Sequence, residues 1–178
     1  MADYIYTVSG KRFYPLSPKK EDIDIKDIAH SLSMLARANG HFPIFHSVAQ
    51  HSLECANEAI ARGESKKVAL ACLLHDSSEA YMSDVTTPVK DKLDTYKMCE
   101  QNLINMVFDK FTPGLTEKEK ETVFLIDKIL LYHEFYHFMK IELGEKCEIF
   151  TNPDFSFKSF EDTKNEFLHL FNELTEDV

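Results

Sequence analysis

Residues 68 to 76 read VALACLLHD, and this stretch decides the fold class. The part from Val68 to Leu74 is entirely apolar. A helix made of these residues has no polar face and must be buried on every side. The helix begins after Ser65 and runs into His75 and Asp76. This pattern predicts a helical protein whose core surrounds residues 68 to 74.

Helical patterns continue on both sides of this stretch. Asp24 is suited to cap a helix that reaches about residue 38, and Asn39-Gly40 is suited to end it. Later helices are expected at about 47–63, from beyond Pro88 to Pro113, and from Thr116 to about Leu143.

The start of the chain has a different pattern. Aromatic and β-branched residues flank Ser9-Gly10, which is typical of a short hairpin. The length of 178 residues, 44% of them hydrophobic, suits one core. We therefore predict a single all-α domain over residues 1–178, with a β-hairpin at about 4–14, a helical core at about 25–143 and a C-terminal helix at about 160–174.

The net charge of -10 limits the choice of partners. Binding of duplex nucleic acid or an anionic membrane needs clustered Lys and Arg, so neither partner is expected. A small anionic substrate remains compatible with this charge if a bound metal supplies the cation.

The cysteines and the N-terminus indicate the compartment. The four cysteines show no CxxC spacing and are expected to be reduced core residues: Cys55, Cys72, Cys99 and Cys147. The N-terminus resembles no signal peptide, and no apolar stretch reaches the roughly 20 residues of a membrane span. A cytoplasmic protein is expected.

Asp127 is an ionisable residue on an apolar helix face. At 100° per residue, the apolar residues within about 60° of it are Val123, Phe124, Leu130, Leu131 and Phe138. A buried, isolated carboxylate costs several kcal/mol, so Asp127 needs a cation. Pairing with Lys or Arg and binding of a metal are equally good explanations at this point.

His75 and Asp76 favour the metal, because they follow directly on the buried helix. Imidazole nitrogen and carboxylate oxygen are usual ligands of catalytic metals. A helix-end histidine beside a solvent-facing aspartate is the alternative. For His51, periodicity alone favours an ordinary structural role, because Leu53 and Ile60 mark a different face of its helix.

Three segments together resemble a known family. They are AQHSLECA at 49–56, LLHDSSEAYMSDVTTPVK at 73–90 and LIDKILL at 125–131. Their residues and order resemble the HD-domain phosphohydrolases, in particular small bacterial and phage proteins similar to 5'-deoxyribonucleotidases. The resemblance covers roughly residues 20 to 135. It implies an all-α HD-type helical bundle.

The resemblance also implies a metal site and the groups that act beside it. The ligands of one divalent cation, which could be Mn, Co, Fe, Mg or Zn, would be His51, His75, Asp76 and Asp127. Glu79 matches the acid that orients or deprotonates the attacking water. Asp84 matches a second carboxylate that could protonate the leaving oxygen. Without the HD pattern, both would be read as ordinary loop acids.

The resemblance is weaker for the substrate contacts. Thr87 and Lys90 match a segment near the phosphate, although Lys90 suits a solvated surface lysine equally well. The related nucleotidases carry Arg-Trp before a proline, where this chain has His41-Phe42-Pro43. His41 could bind a sugar or phosphate, and Phe42 could stack on a base. Further candidates are His30, Arg37 and His46.

A second motif, HEFYH at 133–137, satisfies the HExxH pattern of zinc proteases. Glu134 lies about 20° from Asp127 on the helix, whereas His133 and His137 lie about 120° and 80° away. A protease would also leave Asp127 without a role. We therefore interpret Glu134 as an acid that supports the metal ligands or lines the substrate pocket.

The leading hypothesis is hydrolysis of a nucleotide, and most plausibly of a 5'-deoxynucleoside monophosphate. One alternative is triphosphohydrolysis of a deoxynucleoside triphosphate. An alternative of another class is a non-catalytic HD module that senses nucleotides. A homodimer is the default expectation for an enzyme of this size.

Overall fold

The fold is a set of packed helices with a small hairpin at the start. It is described by a computed structural model for residues 3–145 and 147–176. The helices are α1 Ile25–Met34, α2 Val48–Ala61, α3 Lys66–Leu74, α4 Glu79–Met82, α5 Thr87–Lys90, α6 Asp94–Phe111, α7 Glu117–Met139 and α8 Phe160–Thr175. Short 3-10 turns cover Lys20–Asp22 and Arg37–Gly40. The predicted all-α class is confirmed.

Helix α3 lies at the centre of the core, as its apolar run predicts. Every residue from Val68 to Leu74 is buried. The helix packs against α2, α7 and α8. Because neighbours cover it on all sides, its C-terminal end delivers His75 and Asp76 to the interior.

Side-chain caps set the starts of the main helices. The Asp24 carboxylate accepts a hydrogen bond from the Lys26 amide at the start of α1. Ser47 and Thr116 form capping boxes at the starts of α2 and α7. These bonds satisfy backbone N–H groups that have no partner inside the helix.

Several predicted helix bounds are wrong. Helix α1 ends at Met34 instead of residue 38, because Ala36 pairs with Ser47 in a β-bridge and Ala38 takes a left-handed φ of 50°. Helix α7 ends at Met139 instead of Leu143, because Lys140 is also left-handed. The predicted helix beyond Pro88 is divided into α5 and α6.

The hairpin is confirmed in a shorter form than predicted. Strands β1 (Ile5–Tyr6) and β2 (Arg12–Phe13) pair antiparallel. The Phe13 ring is buried and stacks on Tyr81 with a centroid distance of 3.8 Å. The Ser9 amide and hydroxyl both donate to the Asp27 carboxylate. These contacts fix the hairpin to α1 and α4.

Helix α7 buries a narrower stripe than the sequence predicts. Val123, Ile126, Leu130 and Glu134 are buried, in line with a face of helical spacing. Phe124 is 68% exposed, so its predicted place on the buried stripe is wrong. Among the described helices, none combines the length and the apolar character needed to cross a membrane.

Candidate metal centre

Three helices bring metal-binding side chains to one point. His51 comes from the first turn of α2, His75 from the end of α3 and Asp127 from the middle of α7. His51 Nε2 lies 2.9 Å from Asp127 Oδ1, and His75 Nε2 lies 3.6 Å from the same oxygen. Asp76 Oδ2 is 3.3 Å from His75 Nε2. The predicted ligands are therefore neighbours in space.

Cys55 is a further member of this cluster. One ligand atom from each of His51, Cys55, His75 and Asp127 lies within 4.8 Å of the others, so this group could hold a metal ion. Cys55 Sγ is 3.5 Å from His51 Nε2. Burial raises the pKa of the Cys55 thiol well above its ordinary value. The sequence pattern gave no sign of this placement, because a core cysteine one helical turn after His51 is unremarkable.

The hydrogen bonding of the His75 ring indicates whether these residues suit a cation. Its Nδ1–H donates to the Cys72 carbonyl at 2.6 Å, which leaves Nε2 to face the cluster. Nε2 is buried and lacks a hydrogen-bond partner. In the neutral ring, with its proton on Nδ1, Nε2 would carry the lone pair that a metal ligand requires. The donors therefore fit a divalent cation.

The charges of the cluster also suit a cation. Burial opposes ionisation of Asp127, but the neighbouring His51 and His75 rings in their protonated form hold the pKa of Asp127 well below its ordinary value. Burial likewise opposes ionisation of Asp76, and His75 and Arg37 lower the pKa of Asp76 to about 2. Both carboxylates are thus anionic near neutral pH and available to a metal.

Glu79 and Asp84 show the opposite shift. Burial, followed by the charges of Asp76 and Asp84, raises the pKa of Glu79 well above its ordinary value. Burial also raises the pKa of Asp84. Glu79 Oε2 is buried without a hydrogen-bond partner. Acids with raised pKa values in one site are candidates for proton transfer.

A cavity of about 490 Å³ opens beside the cluster. Its acidic lining consists of Asp76, Glu79, Asp84 and Asp127. Its apolar lining includes Phe42, Leu131, Phe135 and Leu143. A cavity lined by both charged and apolar groups suits a ligand that has a charged end and an apolar end.

Arg37, one of the three further candidates named from the sequence, lies beside the predicted metal ligand Asp76. It lines the cavity, with Nη1 3.4 Å from Asp76 Oδ2 and Nη2 3.4 Å from Glu134 Oε2. It follows the early end of α1, in a segment without helical periodicity. In the sequence, only its position shortly before the first predicted metal ligand, His51, marked Arg37 as a candidate.

The predicted substrate contacts lie in different places. Thr87, Lys90 and Phe42 line the cavity. Lys90 is already paired, since its Nζ lies 2.7 Å from Glu100 Oε1. His41 is exposed and is not among the residues that line the cavity.

The HExxH motif does not form a joint site in the described residues. Glu134 is buried behind His51, whereas His137 is exposed. His133 Nε2–H donates to the Cys147 carbonyl at 2.8 Å. Neither histidine belongs to the cluster that could hold a metal.

Comparison with known proteins gives relatives but no activity. The chain is 37% identical over 131 residues to the uncharacterized protein YfdR of Escherichia coli K12, which covers 74% of this chain and 70% of YfdR. The chain belongs to the YfdR family. An uncharacterized protein of Rhodobacter capsulatus is 44% identical over 88 residues, which are 47% of this chain and 44% of that protein. No family model matches the chain.

Proposed function

We propose that the protein is a metal-dependent phosphohydrolase of the HD type that removes phosphate from nucleotides. A 5'-deoxynucleoside monophosphate is the proposed substrate. The observation that carries the proposal is the cluster of His51, His75, Asp76 and Asp127 at the edge of a cavity that also receives Glu79. We further propose a cytoplasmic location, and a homodimer as the working state.

The proposed metal site uses donors that are already neighbours. One divalent cation, which could be Mn, Co, Fe, Mg or Zn, would be held by His51, His75, Asp76 and Asp127. Such a cation neutralises phosphate charge and activates water. Cys55 lies against the same cluster, and its thiol is buried.

Glu79 and Asp84 would manage the protons. In the reaction a bond forms from water oxygen to phosphorus, and the bond from phosphorus to the ester oxygen breaks. Glu79 Oε2 has no competing hydrogen bond and would take the proton from the attacking water. Asp84 has a raised pKa and would give a proton to the departing ester oxygen.

The substrate would lie between the charged and apolar parts of the cavity. Arg37 lines the cavity beside Asp76, and we propose that it meets phosphate oxygens. Phe42 and Phe135 pack edge to face with centroids 5.3 Å apart, and they would offer a flat contact for the base.

The test is a metal-by-nucleotide panel. Metal-free protein is loaded with each candidate cation in turn and incubated with ribo- and deoxynucleoside mono-, di- and triphosphates. Free phosphate, pyrophosphate and triphosphate are measured separately. We expect metal-stimulated release of phosphate from monophosphates. Release of triphosphate would move the proposal to triphosphohydrolysis, and no turnover on any nucleotide would overturn the proposal.

A further inference from the structure

Glu134 is a buried acid whose two oxygens have separate partners. Its side chain is 0% exposed. Oε1 lies 2.7 Å from His51 Nδ1 and 3.3 Å from His46 Nε2. Oε2 lies 3.4 Å from Arg37 Nη2. All these partners are nitrogen groups, so the acid is surrounded by donors.

The contact with His51 fixes the orientation of a metal ligand. The Glu134 carboxylate is buried and meets a nitrogen group at each oxygen, so it accepts hydrogen bonds from these groups. His51 Nδ1 must therefore carry the proton in this bond. The other ring nitrogen, Nε2, is then the one directed at Asp127 and the cluster.

Helix α7 carries both Glu134 and the predicted metal ligand Asp127. Asp127 and Glu134 are seven residues apart, which places them on one face of the helix. Asp127 meets His51 Nε2 at 2.9 Å, and Glu134 meets Nδ1 of the same ring. The imidazole is thus held at both nitrogens by one helix.

The second oxygen of Glu134, Oε2, contacts a residue that lines the cavity. Arg37 is held between Asp76 and Glu134 and lines the cavity. Without the Glu134 charge, the buried Arg37 guanidinium would have a single acidic partner within 3.4 Å among the described residues, namely Asp76. It would then compete more strongly with a cation for that ligand.

We propose that Glu134 is the positioning residue of the metal centre, with Oε1 fixing the His51 ring and Oε2 holding Arg37 in place. The proposal rests on the metal site of the proposed function but not on its reaction. It assigns the glutamate of the HExxH pattern a role through His51 instead of direct contact with metal or substrate.

The test is a double-mutant cycle on metal affinity, read by competition with a chelator in the absence of nucleotide. Glu134→Gln should weaken binding of Mn²⁺ or Zn²⁺ by roughly 10- to 100-fold, as is typical when the partner of a ligating histidine is lost. In a His51→Ala background the same change should have a clearly smaller effect, because only the contact between Glu134 and Arg37 is then lost. Glu54→Gln is the matched control, because Glu54 is a buried acid that accepts from the Asp154 amide.

Unchanged affinity in Glu134→Gln, or an equal loss in both backgrounds, would overturn the proposal. If a variant does not fold, a measurement on the wild-type protein still tests the proposal. In ¹⁵N-labelled protein loaded with Zn²⁺, the NMR spectrum of His51 should show Nδ1 protonated and Nε2 bound to metal. The reverse assignment, or no binding of any divalent cation by the wild type, would overturn it as well. Tight metal binding without phosphate release would refute the proposed reaction and leave the role of Glu134 intact.

Discussion

At the scale of single residues, Glu79 and Glu134 show that neighbours decide what a buried acid can do. Burial by itself would raise the pKa of both acids. The neighbouring carboxyl groups of Asp76 and Asp84 raise the pKa of Glu79 further, whereas His51 and Arg37 reverse the shift of Glu134. Glu79 keeps an oxygen without a hydrogen-bond partner, and Glu134 uses both. The first suits proton transfer and the second suits support.

The Glu79→Gln variant should therefore separate chemistry from metal binding. An amide of the same shape cannot take a proton from water, so phosphate release should fall by roughly 100- to 10,000-fold. Metal content, measured by mass spectrometry of the dialysed protein, should stay the same.

Asp27→Asn is the control for loss of one buried carboxylate, because Asp27 binds Ser9 in the hairpin and is absent from the site cavity. It should leave turnover near the wild-type rate. Full turnover by Glu79→Gln would remove Glu79 from the reaction.

Burial patterning in the sequence marks some site residues more clearly than others, for physical reasons. Asp127 and the His75-Asp76 pair interrupt apolar patterns, so burial alone marks them. Helix α2 buries polar residues along much of its length, including Gln50, Ser52 and Glu58, so burial does not distinguish His51. Arg37 lies in a left-handed turn with no pattern at all.

At the scale of elements, α7 is the helix that matters most for the site, and its start is built for rigidity. Glu119 Oε2 accepts from the Thr116 amide at 2.7 Å. Its Oε1 lies 3.0 Å from Lys67 Nζ of α3. These contacts join the two helices that supply Asp127 and His75. The start of α7 was predicted correctly, because the capping box is a local motif. The predicted end lay too far along the chain, because Lys140 takes a left-handed φ that ends the helix.

Glu119→Gln should remove a pH-dependent part of stability. The Thr116 amide and Lys67 lower the pKa of Glu119 from 4.5 to about 2. A lowered carboxylate pKa stabilises the folded state above pH 4.5, and this contribution is lost as pH falls from 4.5 to about 2. The free energy of unfolding of metal-free wild type should thus exceed that of the variant at pH 7, and the difference should vanish near pH 2.

Urea titrations of both proteins across this pH range measure the difference. Glu117→Gln, an exposed acid in the same turn, controls for the loss of one charge near the helix start. A difference between wild type and Glu119→Gln that stays constant down to pH 2 would contradict the assignment.

At the scale of the whole molecule, the cluster joins parts of the chain that are far apart in sequence. Helices α2, α3 and α7 meet at His51, His75 and Asp127. The helical periods predicted which helices exist, but their mutual packing is a long-range property that no local pattern contains. The all-α class was therefore predictable from the sequence, whereas the approach of Cys55 to His51 was not. For Glu134 the sequence predicted a supporting or pocket-lining role, but not that its partner is His51.

Because a bound cation would bridge three helices, its removal should lower the stability of the whole domain. A ligand present at 100 times its Kd stabilises a folded protein by about 2.7 kcal/mol. For a chain of this length, that corresponds to a fall in Tm of roughly 5 to 10 °C on chelation. Calorimetry with and without chelator measures the shift, and re-addition of metal should restore it. Equal Tm values would contradict a metal held by these helices.

The most direct test of the account is a stoichiometric titration of activity. Metal-free protein at a known concentration receives Mn²⁺ in small steps, and phosphate release from a deoxynucleoside monophosphate is measured after each step. We predict that the rate rises linearly and then levels off at one equivalent of metal. No release at any metal concentration, or a rate that shows no break at one equivalent, would contradict the account.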